Sequence, residues 1–229
     1  MKYLNKIAET IKLQYPPGIE INSGHPRCFK LAGIGYDSTM GSDELQYLFK
    51  LISRFKFRSA FIIGNAFGLS SAYVALVMAE NEGERVLTID NLNHHITDDE
   101  TIRKVSDIQH LVAESLILNL DLPLTFINTV GWSPKDLPKI CSPYLFDFVI
   151  IDGYHIEEAV IADFNGILPY TTDDVLFVFH DLDIPGVRAG YEACLDNNPT
   201  FSGHYVKTSW DLGFVTKSRD LLNKYSEVL

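Results

Sequence analysis

Cysteine is scarce and unpatterned. Cys28, Cys141 and Cys194 are the only three in 229 residues, far apart and with no C-x-x-C among them. That excludes a disulfide framework and a thiolate zinc site, and it is the usage expected in a reducing compartment. No apolar run approaches the roughly 18 residues of a membrane span. Residues 1–15 lack the charged start, long apolar stretch and small-residue cleavage site of a secretory leader. The expectation is a cytoplasmic chain with no membrane partner. Clusters of lysine and arginine are lacking too. Nineteen basic residues against 30 acidic ones give a formal charge of −11. A polyanionic partner is gripped by clustered basic side chains, so no nucleic acid is expected. Repeats and low-complexity tracts are absent.

What is present is the composition of a globular domain, 46% apolar and 21% charged, with enough chain for one sizeable core. Residues 2–15 read as an amphipathic helix with Leu4, Ile7, Ala8 and Ile11 on one face. Pro16-Pro17-Gly18 ends it. A Gly- and Pro-rich stretch without clear periodicity then runs to Gly41 and carries His25 and Arg27. Loops of that length are often lids or binding loops. The expected division is residues 1–41 as an N-terminal helix with a lid-like segment, and 42–229 as the main domain. Ser42 is expected to cap a helix that buries Leu45, Leu48, Phe49 and Ile52.

The stretch from Ser59 to Ala75 organises the rest. Apolar residues up to Ile63 have the length of a strand buried on both faces. Gly64 stops it, Gly68 follows, and Ser70-Ser71 open a helical pattern. Further strands are expected at 85–90, 124–128, 146–153 and 175–181. Helices are expected near 97–119, where Thr97 and Glu100 resemble a capping box, and near 156–168 and 186–195. Residues 204–208 and 212–216 read as an antiparallel hairpin. Five strand–helix alternations plus that hairpin predict an α/β fold, a Rossmann-like doubly wound, mainly parallel seven-stranded sheet with an antiparallel C-terminal hairpin.

In such a sheet the ligand lies outside the C-terminal ends of the strands. Gly64 and Gly68, Asp90, Ser133, Asp152, and His180 with Asp181 all fall there. Asp90, 26 positions after Gly64, can accept hydrogen bonds from both hydroxyls of a ribose. The G-x-G-x-x-G pattern for pyrophosphate is missing, so a ligand with adenosine but no phosphates fits better.

Over roughly residues 42–217 the chain resembles the class I S-adenosylmethionine-dependent methyltransferases, close to the small-molecule and sugar O-methyltransferase group. Gly64, Gly68 and Ser70 match its G-x-x-x-G-x-S turn, and Asp90 its ribose acid. Gly131-Trp132-Ser133 with Leu137-Pro138 stands in place of the element bordering the adenine. Ile151-Asp152-Gly153-Tyr154-His155 matches I-D-G-x-H, and His180-Asp181 the polar pair ending the fifth strand. Ile63 stands where the family usually has an acid before the first glycine, and Trp132 replaces an acid near the adenine. The resemblance implies S-adenosylmethionine as cofactor and methyl transfer to a hydroxyl of a small molecule or sugar. The implied cofactor contacts are Gly64, Asn65, Phe67, Gly68 and Ser70 on the turn. Beyond it they are Asp90 and Asn91, then Gly131, Trp132 and Ser133, and Asp152.

A hydroxyl nucleophile has to lose its proton, either to a base poised near neutral pH or beside a divalent cation. His155, His180 and Asp181 are the candidate catalytic groups. Asp152 and Asp181 end adjacent strands about 4.8 Å apart and suit Mg²⁺. Leu182 stands where metal-dependent relatives commonly have an Asn, so a third ligand would come from His180, Asp183 or solvent. The structural alternative has Asp181 capping the following segment and Asp152 ordering its loop. His94 and His95 read as loop surface. Two further functional classes stay open: a nicotinamide-dependent oxidoreductase, and a catalytically silent module that binds an adenosine ligand. The first helix and the terminal hairpin could each support a homodimer.

Overall fold

The run Ser59–Ile63 is buried along its whole length and forms β4, an inner strand of a seven-stranded sheet. The computed structural model describes residues 2–12, 19–21, 29–31, 35–36, 39–91 and 100–227. In chain order the helices are α1 (Lys2–Lys12), α2 (Ser42–Phe55), α3 (Leu69–Glu80), α4 (Glu100–Asn119), α5 (Leu137–Cys141), α6 (Glu157–Ile167), α7 (Pro185–Asn197) and α8 (Arg219–Ser226). The strands before β4 are β1 (Ile19–Ile21), β2 (Phe29–Leu31) and β3 (Gly35–Tyr36). Those after it are β5 (Arg85–Asp90), β6 (Thr125–Val130), β7 (Phe146–Ile151), β8 (Thr171–Phe179), β9 (Ser202–Val206) and β10 (Leu212–Thr216).

The large sheet has the order β6-β5-β4-β7-β8-β10-β9. Strands β4 to β8 are mutually parallel, and β10 enters antiparallel to both β8 and β9. Strand order reverses between β4 and β7, the place where open parallel sheets bind ligands. Because side chains alternate along a strand, Ala60 and Ile62 enter one core and Phe61 and Ile63 the other. The first core is covered by α1, α2, α3, α4 and α8, the second by α5, α6 and α7. Helix α1 contributes Leu4, Ile7, Ala8 and Ile11 to the same core as α3. Cys141 and Cys194 are free and buried in the second core, where burial pushes each thiol up to about 12. Among the described residues no helix is long and apolar enough to cross a membrane.

Several boundaries differ from expectation for local reasons. Ser42 is the first helical residue of α2, and Gly41 is the cap; its N–H donates to Glu44 Oε2 at 2.7 Å. The third large-sheet strand runs on to Val130, and the hairpin link is longer because β9 ends at Val206. The stretch expected as an open loop contains the small antiparallel sheet β1-β2-β3. Its strands are too short to show a period of two. His25, Arg27, Cys28, His94, His95 and Thr97 lie outside the described residues. Helix α8, absent from the expectation, is capped by Ser218 Oγ, which accepts from Leu221 N–H at 3.2 Å. It buries Leu222 and Tyr225, the latter edge-on to Phe55 at 4.5 Å.

Phe148 on β7 is fully buried and stacks on Phe57 with ring centroids 4.7 Å apart. Phe148→Ala is expected to lower the unfolding free energy by about 3–5 kcal/mol, read from urea denaturation. A loss below about 1 kcal/mol would mean that this packing does not carry the core.

Candidate active site

The turn after β4 is built by close backbone approach. Gly64 has φ +87°, and a Cβ there would collide with the carbonyl oxygen of Asp152 at the end of β7. Only glycine meets both demands. The N–H groups of Asn65 and Ala66 then donate to one oxygen of Asp90, Oδ2, at 2.8 and 2.7 Å. The carboxylate ending β5 thereby fixes the turn ending β4. Asn65 is held from its side chain as well: Nδ2 donates to Asn128 Oδ1 at 2.9 Å, and Oδ1 accepts from the Ser71 hydroxyl. Ser70 Oγ lies 2.6 Å from Thr39 Oγ1 and accepts from Met40 N–H, tying the chain before α2 to α3.

Above these strand ends lies a cavity of about 430 Å³. It is lined by the expected Gly64, Asn65, Ser70, Asp90, Asn91, Gly131, Trp132, Ser133 and Asp152, and by His155, His180 and Asp181. Two expected contacts do not line it. Phe67 is buried in the first core, and Gly68 sits where α3 and α4 cross. With φ +73°, and with any Cβ only 3.1 Å from Ala113 Cα, Gly68 serves packing of the two helices. Thr39, Met40, Tyr154, Ala159, Asp163 and Trp210 also line the cavity, and sequence reasoning missed them.

At the β7–β8 end the polar groups form one network. His180 is buried with both ring nitrogens on carboxylates, Nδ1 3.0 Å from Asp152 Oδ1 and Nε2 3.0 Å from Glu44 Oε2. Asp181 Oδ1 is 3.3 Å from Nδ1. Glu44, fully buried on α2, also accepts from Gly41 N–H, Thr208 Oγ1 and Trp210 N–H. Burial opposes a charge on His180, but Asp152, Asp181 and Glu44 outweigh it and raise its pKa well above the usual 6.5. Two acceptors on two ring nitrogens describe an imidazolium. Burial likewise pushes Asp152 up, while His180 and His155 together hold it below the usual carboxylate range.

His155 is the accessible member. Its Nε2 is 3.2 Å from Asp181 Oδ2 and 3.9 Å from Asp152 Oδ1, and its side chain is half-exposed. Asp152, then Asp181, raise its pKa against the opposing effect of burial. Asp152, His155 and Asp181 each offer an oxygen or nitrogen within 4.8 Å of the others, a spacing that suits a cation. The third group of that cluster is His155, whereas His180 is committed to Glu44. Asp183 does not line the cavity, and Leu182 is a core residue. Asp181 adopts φ +59° and turns its carboxylate to the two histidines; helix α7 begins without a side-chain cap. Apart from this network, Asp163 on α6 is buried at the cavity wall, and burial pushes it up to about 6 against the pull of Ser133.

Residues 61–182 match a family model described as a methyltransferase domain. No curated protein sequence gives a significant match. Among solved structures, an O-methyltransferase from Bacillus cereus in complex with S-adenosylhomocysteine is 17% identical, with a TM-score of 0.61 over 92% of this chain and 89% of that one. The O-methyltransferase TomG from Streptomyces achromogenes, involved in tomaymycin synthesis and crystallised with S-adenosylmethionine, is 16% identical, with a TM-score of 0.62 over 94% and 89%. The Podospora anserina methyltransferase PaMTH1, bound to S-adenosylhomocysteine, is 9% identical, with a TM-score of 0.63 over 94% and 88%. At these identities the likeness is one of fold.

Removing one partner of a buried ion pair strands the other charge, so Glu44→Gln is expected to destabilise the protein by roughly 3–5 kcal/mol. The sign of its pH dependence follows from His180. A histidine pKa raised on folding contributes stability that is complete below about 6.5 and is lost as pH rises through the folded value. The cost of Glu44→Gln should therefore be greatest in acid to neutral solution and shrink toward alkaline pH. Urea denaturation across that range checks it, and a cost independent of pH would contradict the charged pair.

Proposed function

The chain belongs to the methyltransferase-domain family, and we propose that it transfers the methyl group of S-adenosylmethionine to a hydroxyl of a small molecule, sugars included. The observation that carries this reading is one cavity that joins the glycine turn and Asp90 to the Asp152–His155–Asp181 cluster. Its volume is within the range of small-molecule sites. Its donor set suits the cofactor: Asp90, held rigid by two N–H groups, is the acceptor for ribose hydroxyls. Trp132 offers an aromatic face beside it. When bound, the cofactor supplies a methyl carbon on a sulfonium, open to in-line attack.

The residues of the chain position the acceptor and take its proton. His155 reaches the cavity and is oriented by Asp181, so it is the residue proposed to accept the hydroxyl proton. His180 cannot share that task while both its nitrogens face carboxylates; it is a positioning residue that holds Asp152 and Asp181. Thr39 and Met40 at the cavity wall support a role for the segment before α2 in covering the acceptor side. The buried free thiols Cys141 and Cys194 support a cytoplasmic setting.

A second reading is favoured by the convergence of Asp152, His155 and Asp181. These three would hold a divalent cation such as Mg²⁺, which would stabilise the acceptor oxyanion, and His155 would then be a ligand.

Asp90→Ala is expected to weaken S-adenosylhomocysteine binding by about 1.5–3 kcal/mol in calorimetry, and a wild type that does not bind it would overturn the cofactor assignment. Chelator separates the two catalytic readings. With His155 as base, turnover survives excess chelator and rises with pH through the raised histidine pKa, because the neutral ring accepts the proton. His155→Gln then loses about 10²–10⁴-fold in rate at unchanged cofactor affinity. With a bound cation, chelator abolishes turnover and added Mg²⁺ restores it.

A further inference from the structure

The cavity wall is strongly negative. Asp90, Asp152, Asp163 and Asp181 line it, and among the described residues no lysine or arginine does. Asp163 is only 5% exposed, and among the described residues no cation pairs with it. Glu44 stands directly behind, on His180 Nε2. The positive charge inside is His180, between Asp152 and Glu44. A bound cofactor adds one sulfonium, while its amino-acid end is neutral overall. Carboxylates still outnumber cations, even with His155 protonated or with a divalent cation at the cluster in its place. Away from bulk water such a surplus is screened little.

The same sign continues outside the cavity. Glu157 and Glu158, just past His155, and Asp183, just past Asp181, are exposed. Arg188 on α7 does not line the cavity; its Nε donates to Leu182 O at 2.9 Å, and its guanidinium lies 3.5 Å from Asp211 Oδ2. Clefts of one sign concentrate ligands of the other. Two aromatic side chains stand at this end. Tyr154, next to His155, lines the cavity and is 63% exposed. Trp210 lines it too; its backbone N–H donates to Glu44 Oε1 at 3.0 Å, and its carbonyl accepts from Asp183 N–H at 3.4 Å. Carboxylates beside aromatic faces hold an organic ammonium by charge attraction and by the ring quadrupole.

We infer that the acceptor is cationic, a small hydroxyl compound that carries an ammonium group, with that group held at the Tyr154, Trp210 and Asp181 end of the cavity. The inference names the acceptor class for the methyl transfer proposed above and rests on that reading. The acceptor oxygen bonds to the methyl carbon as the carbon–sulfur bond breaks, and its proton passes to His155. An ammonium has no lone pair, so it is a handle and is not itself methylated. Acceptors that carry a phosphate or a carboxylate meet like charge along this wall.

Calorimetry on protein saturated with S-adenosylhomocysteine, near neutral pH and at low salt, tests this with matched probes. One series is tyramine, para-ethylphenol and para-hydroxyphenylacetate; the other is choline and its uncharged isostere dimethylbutanol. In each series the ammonium member should bind at least about tenfold tighter than the neutral one, and the carboxylate should bind weakest. The ammonium advantage should shrink as salt is raised. Tyr154→Ala should cut it by about threefold or more, while Tyr154→Phe keeps it, a split that a purely structural tyrosine would not produce. Neutral or carboxylate probes that bind as tightly as the ammonium ones overturn the inference, and so does binding of none of the probes. In both cases intact binding of S-adenosylhomocysteine leaves the cofactor reading standing. An undiminished ammonium advantage in Tyr154→Ala overturns the placement at that ring. A wild type that does not bind S-adenosylhomocysteine overturns both readings.

Discussion

A protonated histidine held between two carboxylates is the interaction on which the rest of this site depends. His180, one residue past β8, joins Asp152 at the end of β7 to Glu44 on α2. Through Glu44 it is also coupled to Gly41, Thr208 and Trp210. Chain segments before, within and after the parallel sheet are thus pinned at one point. Burying three charged groups is unfavourable unless each is paired and hydrogen-bonded. Here Glu44 has four donors and His180 has an acceptor on each nitrogen, which makes the arrangement self-consistent. Its consequence is a fixed floor at one end of the cavity, against which Asp181 and His155 are set.

The opposite end is fixed by different means. Asp90 accepts the N–H groups of the glycine turn, and Gly64 lets the β4 backbone press against that of β7. Both devices use the C-terminal ends of parallel strands, where the sheet leaves backbone and side-chain polar groups facing outward. Between the two rigid ends, half-exposed His155 and Trp132 remain accessible to ligands. That division separates groups that hold the geometry from groups that meet the reactants. Precise placement of reacting atoms can supply several kcal/mol of a barrier reduction, and rigid ends are how a fold achieves it.

The large sheet was legible because its inner strands are buried on both faces and read as continuous apolar runs. Residues 85–90 and 212–216 form strands with the bounds expected, and the strand before Gly64 ends at Ile63 as expected. The strand-end position of Asp90, Asp152, His180 and Asp181 followed from topology alone. Glu44 was not legible. It lies 136 positions from His180 and reads as an ordinary acid in the first turn of a helix; only the docking of α2 on the strand ends reveals its role. Gly68 and Phe67 show the reverse case, motif positions whose packing against α4 and in the first core no motif could reveal. Asp163 looks like a solvated residue of an amphipathic helix until α6 is packed against the chain after β6. The strands β1 to β3 and the short helix α8 carry too few apolar repeats to stand out.

The charge on His180 is the claim to test first. ¹⁵N-edited NMR of histidine-labelled protein, with His180 assigned by its absence in His180→Asn, reports the protonation of both ring nitrogens directly. The account predicts that His180 carries a proton on each nitrogen near pH 7.5, about one unit above the reference histidine pKa, while His155 shows the accessible titration. A single neutral tautomer at His180, titrating near the reference value, would contradict it.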